Sequence, residues 1–131
     1  MYGAIFLART GSTNAQIKAY IEENFGYDLS RTCDHIRPSC RHVERCQKTV
    51  PEVITAFLKG ESFKDVICAA VSLGGDCDML TCVAGSVDEG FYGVPEALKQ
   101  EYCKRLPKEL KVVLDRFWDG FKGSANKSEA W

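Results

Sequence analysis

The sequence lacks any long apolar run and any excess of charge of one sign. No apolar segment approaches the roughly 20 residues that a transmembrane helix needs, so we expect no membrane span. The 17 basic and 18 acidic residues nearly cancel and are interspersed, which predicts no attraction to nucleic acid or to an anionic membrane. The apolar N-terminal stretch, residues 1–8, has no basic segment before it and no cleavage site, so no signal peptide is predicted.

Recognisable cysteine motifs are also lacking, although the chain has seven cysteines. Because this number is odd and no secretion signal is present, we expect reduced thiols in a cytoplasmic protein. Cys33, Cys40, His42 and Cys46 lie close enough in sequence to surround a zinc ion, but their spacing fits no Cys-x₂-Cys pattern. The alternative is that these cysteines are small core and loop residues. No spacing indicates a cysteine nucleophile paired with a histidine.

Alternating strand patterns are scarce, whereas apolar residues recur at helical spacing along most of the chain. We therefore predict an all-α fold, a single domain over residues 1–131 with about six or seven helices, and a frayed tail at 122–131. Helix starts are predicted at three polar caps: Thr13 with Gln16, Thr49 with Glu52, and Ser62 with Asp65. Pro51 is then placed in a first helical turn. The last helix is predicted to bury a face that contains Leu110, Val113, Leu114, Phe117 and Phe121.

One short segment, Gly74-Gly75-Asp76-Cys77-Asp78, carries the most specific chemistry. The two glycines permit a sharp reversal between two helices, since glycine adopts positive φ without a steric penalty. The two carboxylates are two residues apart and can point at one spot, which makes a hard-oxygen site suited to Mg²⁺ or Ca²⁺. The alternative is purely structural, because aspartate is a favoured N-cap and acids in the first turn suit the helix dipole.

The run Ala69–Asp78, followed by Ala84-Gly85-Ser86 and Gly90–Pro95, resembles the C-terminal signature of the ADP-ribosylglycohydrolase family. Residues 4–11, 25–29 and 46–52 also follow the order usual in that family, so the resemblance extends from about Ala4 to Phe117. It implies an all-helical domain with a two-magnesium centre. The implied reaction is hydrolysis of the glycosidic bond that links ADP-ribose to a modified residue or a small molecule.

The resemblance also implies roles for particular residues. Asp76 and Asp78 would be magnesium ligands, whereas the implied substrate-facing residues are Gly74, Gly75, Gln47 and Thr49. The expected partner is ADP-ribose or an ADP-ribosylated substrate. For the loop before Val50 the alternative is an ordinary helix cap with exposed flanks. No catalytic residue is assigned.

Two departures from the family pattern shape our expectation of activity. Met79 stands where the family has a metal-binding threonine, and a thioether is a soft donor that Mg²⁺ does not favour. The Thr-Asp-Asp motif that supplies the family's other ligands is absent from the sequence. We therefore expect part of a magnesium site, weak or no activity of the chain alone, and either a homo-oligomer or a missing N-terminal half. The alternative function is a non-catalytic remnant or interaction module in which the turn serves only as a helix cap.

Overall fold

The computed structural model describes residues 2–42 and 45–125, with side chains up to residue 120. These residues form α-helices joined by short turns, and no strand occurs among them, so the all-α prediction is confirmed. The helices are α1 (Tyr2–Arg9), α2 (Asn14–Phe25), α3 (Cys33–Ile36), α4 (Cys46–Lys59), α5 (Phe63–Ser72), α6 (Cys77–Tyr92), α7 (Glu96–Arg105) and α8 (Lys108–Ala125). The predicted frayed tail partly belongs to α8, and from residue 126 it lies outside the described residues.

Two of the predicted helix starts are capped as the sequence indicates. Thr13 and Gln16 form a reciprocal capping box at the start of α2, in which the Thr13 N–H donates to Gln16 Oε1 at 2.8 Å. At the start of α5, the Ser62 hydroxyl oxygen accepts the Asp65 N–H at 3.3 Å. These side chains satisfy backbone donors that a helix start would otherwise leave unpaired.

The predicted capping box at Thr49 is wrong, because α4 begins one turn earlier, at Cys46. Arg45 is the N-cap residue and its side chain makes no capping hydrogen bond. The Thr49 hydroxyl instead donates backwards to the Arg45 carbonyl at 3.2 Å, a bond that threonine forms readily inside helices. Pro51 consequently lies beyond the first turn of α4, where its missing N–H removes one intrahelical hydrogen bond.

The described residues divide into two compact units, and the first, Met1–Val94, contains the hydrophobic core. Helix α6 packs against α1, α4 and α5. Fully buried side chains from these helices and from α2 include Ile17, Ile54, Phe57, Val66 and Val87. At Gly90 the backbone of α6 closely approaches α1, since a Cβ atom there would lie 3.0 Å from Arg9 Cγ. Helix α6 is therefore the central element of this unit, and the Gly-Gly-Asp turn lies at its N-terminus.

The second unit, Pro95–Trp131, contains α7 and α8. The predicted burial of the α8 face is wrong for Leu110, Val113 and Phe117, which are 53%, 62% and 57% exposed, whereas Leu114 is half-buried. Phe121 lies outside the described side chains. Helical periodicity shows which residues share a face, but it does not show whether another element covers that face. Across residues 2–42 and 45–125, no helix combines the length and apolar character that a membrane crossing requires.

Candidate functional site

The Gly-Gly-Asp turn joins α5 to α6 as the sequence predicts. Gly74 and Gly75 both have positive φ, 79° and 66°, so the reversal uses a conformation that other residues adopt only with strain. Asp76 is the N-cap of α6, and its Oδ1 accepts the Met79 N–H at 3.3 Å. One oxygen of Asp76 is thus engaged in capping, which is the structural role that the sequence left open.

The second oxygen of Asp76 and both oxygens of Asp78 take no part in capping the helix. Asp76 Oδ2 lies 3.7 Å from His42 Nδ1. Asp78 is exposed in the first turn of α6 and makes no hydrogen bond or ion pair with any residue that the structure describes. The structure therefore places the two predicted metal ligands on one helix start, where the Asp78 side chain is exposed and that of Asp76 is partly exposed.

The donor set of this turn fits part of a magnesium site. Carboxylate oxygens are the ligands that Mg²⁺ prefers, and the ion commonly keeps several waters when a protein offers one or two carboxylates. Within the described part of the chain, however, no three His, Cys, Asp or Glu side chains come close enough to hold a metal ion. This also fails to support the zinc alternative, in which Cys33, Cys40, His42 and Cys46 would have to converge.

The bare Cα of Gly75 faces the segment that follows α3. A Cβ atom at this position would lie 2.9 Å from the Arg41 carbonyl oxygen and 3.1 Å from Cys40 Sγ. The Cys40 thiol is buried and lies 3.3 Å from Glu52 Oε2 and 3.8 Å from the Gly74 carbonyl oxygen. Cys40 thus connects the turn to α4, and the absent side chain of Gly75 makes this close packing feasible.

The environment of Cys40 keeps its sulfur protonated. Burial, the hydrogen bond to Glu52 and the negative charge of that carboxylate together raise the pKa of the Cys40 thiol to about 11. The thiolate is the nucleophilic form of cysteine, so this environment favours the thiol, which donates hydrogen bonds to Glu52 and to the Gly74 carbonyl.

A cavity of about 370 Å³ adjoins this segment. Among the residues that the structure describes, its lining contains three cationic side chains, one carboxylate and two neutral polar groups, namely Arg31, Arg41, Lys48, Glu52, Ser39 and Gln47. Gln47, a predicted substrate-facing residue, therefore lies at a cavity. Thr49 does not line it, because its side chain is buried and bonded to the Arg45 carbonyl.

Residues 6–127 match the family model described as ADP-ribosylglycohydrolase. The chain belongs to the ADP-ribosylglycohydrolase family. No curated protein and no solved structure matches it. The resemblance seen in the sequence is therefore confirmed at the level of family and fold, over nearly the whole chain.

The cationic lining of the cavity was not predicted from the sequence. The composition did indicate a basic segment, since residues 31–48 contain five Arg and Lys residues but only two acids, Asp34 and Glu44. What periodicity and motif spacing could not show is which of these cations share one cavity. Arg31 precedes α3, Arg41 follows it, and Lys48 lies on α4, so only the packing of α3 on α4 brings them together.

A second buried acid lies far from the turn. Asp88 is fully buried on α6, twelve residues after Asp76, or about 18 Å along the helix axis. Neither of its carboxyl oxygens has a hydrogen-bond partner among the described residues, and burial raises its pKa to about 7. Its distance from the turn separates it from the candidate site.

Proposed function

We propose that this chain contributes the Asp76 and Asp78 part of a magnesium-dependent ADP-ribosyl hydrolase site. The observation that carries the proposal is the exposed, unengaged carboxylate of Asp78 beside Asp76 on the family's Gly-Gly-Asp turn. In such a site a magnesium ion would polarise a substrate oxygen and lower the pKa of a bound water. The reaction class is hydrolysis of the glycosidic bond that attaches ADP-ribose to a modified residue or small molecule.

The chain's own residues have three tasks in this proposal. Asp76 and Asp78 supply hard oxygen ligands at the start of α6. Gly74 and Gly75 set the direction in which those carboxylates leave the turn, because their positive φ values fix the reversal. Cys40 and Arg41 support the turn from behind, where the absent Cβ of Gly75 leaves room for them.

We propose further that the site is incomplete in this chain. Two carboxylates leave most of the magnesium coordination to water or to substrate oxygens, which predicts weak binding. Met79 does not add an oxygen ligand. Hydrolysis by the chain alone is therefore expected to be slow, and a second copy or another polypeptide would have to add the remaining ligands.

Calorimetric titration of Mg²⁺ tests the metal ligands. The native chain should bind Mg²⁺ weakly, and Asp78→Asn should abolish this binding because it replaces a charged oxygen donor with a neutral amide. Asp115→Asn removes an exposed carboxylate from α8 and serves as the matched control. Equal Mg²⁺ binding by Asp78→Asn and the native chain would remove Asp78 from the site.

The alternative function is a non-catalytic module in which the turn is only a helix cap. One observation favours it: the Met79 N–H donates a hydrogen bond to Asp76 Oδ1. Asparagine caps helices about as well as aspartate, whereas replacement by alanine costs about 1 kcal/mol. In the capping alternative, Asp76→Asn melts like the native chain, Asp76→Ala melts lower, and Mg²⁺ changes none of the melting temperatures. In the magnesium proposal, Mg²⁺ raises the melting temperature of the native chain but not that of Asp76→Asn.

A further inference from the structure

Two cysteine thiols contact the chain where α5 ends and the Gly-Gly-Asp turn begins. Cys40 Sγ lies 3.8 Å from the Gly74 carbonyl oxygen, and Cys77 Sγ lies 3.7 Å from the Val71 carbonyl oxygen. The Gly74 N–H donates to that same Val71 carbonyl at 3.3 Å, so a single turn of backbone connects the two contacts. Cys40 follows α3 whereas Cys77 is the first residue of α6, so segments that are distant in sequence bring their sulfurs to one turn.

The backbone of the turn keeps these two sulfurs near each other. Cys40 Sγ lies 3.1 Å from the Cβ position of Gly75, which precedes Cys77 by two residues. Two residues of chain span at most about 7 Å, so the Cys77 backbone is close to this contact. After burial and the hydrogen bond and charge of Glu52, the charge of Cys77 is a further cause that raises the pKa of Cys40. The positive φ of the two glycines gives this turn the freedom to adjust to disulfide geometry.

We propose that Cys40 and Cys77 form a reversible disulfide that fastens the Gly-Gly-Asp turn to the segment after α3. Both residues are free thiols in this structure, which is the reduced state. The inference goes beyond the proposed function, because a covalent link between these segments requires neither magnesium nor an ADP-ribosyl ligand. Oxidation of the chain would thus fix the turn in place, and a reducing thiol would release it.

The two thiols differ in their access to an oxidant. Cys77 is partly exposed, whereas Cys40 is only 5% exposed. A hydroperoxide therefore reacts with Cys77 first, oxidises its thiol to a sulfenic acid and is itself reduced to water or an alcohol. Cys40 Sγ then attacks the Cys77 sulfur. The S–S bond forms, the S–O bond breaks, and the oxygen leaves as water.

Glu52 provides the base that the second step requires. The Cys40 thiol must lose its proton as its sulfur attacks, and it donates a hydrogen bond to Glu52 Oε2 at 3.3 Å. The proton passes through Glu52 to the departing oxygen, so the carboxylate ends the step ionised. With a pKa of about 11, Cys40 would otherwise supply little thiolate at neutral pH.

Oxidation of the full chain, followed by peptide mass analysis, tests the link. The reduced chain is treated with dilute hydrogen peroxide in EDTA, its remaining thiols are alkylated, and it is digested. The native chain should yield a peptide pair joined through Cys40 and Cys77, and dithiothreitol should separate the pair. Cys40→Ser and Cys77→Ser should each abolish it. A mixture of ¹⁵N-labelled and unlabelled chains should give no mixed pairs, because the disulfide forms within one chain.

The matched controls are the cysteines nearest in sequence to each partner. Cys33 is also buried, at the start of α3, and Cys82 is exposed on α6. Cys33→Ser and Cys82→Ser should each leave the Cys40–Cys77 pair intact. Glu52→Gln keeps an oxygen acceptor but removes the base, so it should slow disulfide formation at least about tenfold. Sulfenic acid at Cys77, trapped with dimedone, should then accumulate. Circular dichroism melting of each variant checks that the helices remain folded.

Three results would overturn the disulfide proposal. The first is a native chain in which peroxide oxidises Cys77 but no Cys40–Cys77 pair forms. The second is a Cys77 that stays reduced while the exposed Cys82 is oxidised. The third is pairing through Cys33 or Cys82 as often as through Cys40 and Cys77, because this would indicate unselective oxidation of an unfolded chain. Equal rates of disulfide formation in Glu52→Gln and the native chain would remove Glu52 from the reaction.

Discussion

At the scale of single residues, the buried position of Asp88 conflicts with the chemistry of a carboxylate. Asp88 is fully buried in α6 and has no hydrogen-bond partner among the described residues. Tyr92, one turn further along α6, donates its hydroxyl hydrogen to the Gly60 carbonyl at 3.0 Å instead. An ionised carboxylate without partners is costly inside a protein, so Asp88 is expected to remain protonated up to near-neutral pH.

This environment predicts a loss of stability as pH rises. Burial raises the pKa of Asp88 from 3.8 in the unfolded chain to about 7 in the folded one, so the folded state holds the proton more tightly. The free energy of unfolding is unaffected by Asp88 below pH 3.8, falls as the pH rises from 3.8 to 7, and changes no further above 7. Because the folded and unfolded pKa values differ by about 3, the loss of stability at pH 8 is on the order of 4 kcal/mol.

Replacement of Asp88 by asparagine should remove most of this pH dependence, because the amide does not ionise. Urea unfolding should show that Asp88→Asn gains roughly 3 kcal/mol more over the native chain at pH 8 than at pH 5. Asp115→Asn, at an exposed position, should show no such difference. A native chain that is equally stable at both pH values would contradict the prediction.

At the scale of elements, the order of helices follows from the sequence with few errors. Thr13, Gly26 and Ser62 mark helix ends because their side chains or positive φ satisfy local backbone requirements, and such requirements are readable from neighbouring residues. Thr49 shows where this reasoning fails. A hydroxyl can accept a bond from a following N–H or donate to a preceding carbonyl, and only the position of the chain before Cys46 decides between the two.

The turn between α5 and α6 offers a matched test of two adjacent glycines. Both have positive φ, so alanine at either position costs about 1–2 kcal/mol in backbone strain. Only at Gly75 would the new Cβ also meet neighbouring atoms, the Arg41 carbonyl at 2.9 Å and Cys40 Sγ at 3.1 Å, whereas Gly74 has none within 4 Å. Gly75→Ala should therefore be the more destabilising change.

Two measurements check this difference. The free energy of unfolding in urea should fall further in Gly75→Ala than in Gly74→Ala. Labelling by a thiol reagent, followed by peptide mass analysis, should reach Cys40 faster in Gly75→Ala, because the segment around Arg41 must move away from the turn. Equal stability and equal Cys40 labelling in the two variants would show that this segment does not pack on Gly75 in solution.

At the scale of the whole molecule, the sequence predicted the family and fold class better than it predicted the candidate site. The family pattern is local, since it resides in short runs such as Gly74–Asp78, and a local pattern can be read directly. The cationic cavity is not local, because Arg31, Arg41 and Lys48 come from three segments that converge only after α3 packs on α4. The prediction that α8 buries one face was wrong for the same reason, since the sequence of a helix does not show whether another element covers its apolar face.

The outer face of α1 leads to a prediction about assembly. Tyr2 and Phe6 lie one turn apart and are 82% and 54% exposed, whereas Ala4 and Ala8 on the opposite side are buried. A helix that is apolar on both faces is usually covered on both. We expect the chain to self-associate through Tyr2 and Phe6, so light scattering should give a mass above that of the monomer, and the mass should rise with concentration.

The variant Phe6→Glu tests whether α1 is the contact. A charge on this face should return the mass to that of the monomer, because an unpaired carboxylate buried in a contact is costly. The side chain of Phe6 is half exposed, so the free energy of unfolding of the monomer should change little. Leu98→Glu introduces the same charge at an exposed position on α7 and should leave the association intact. A native chain that is monomeric at every concentration, or equal dissociation by both variants, would contradict an α1 interface.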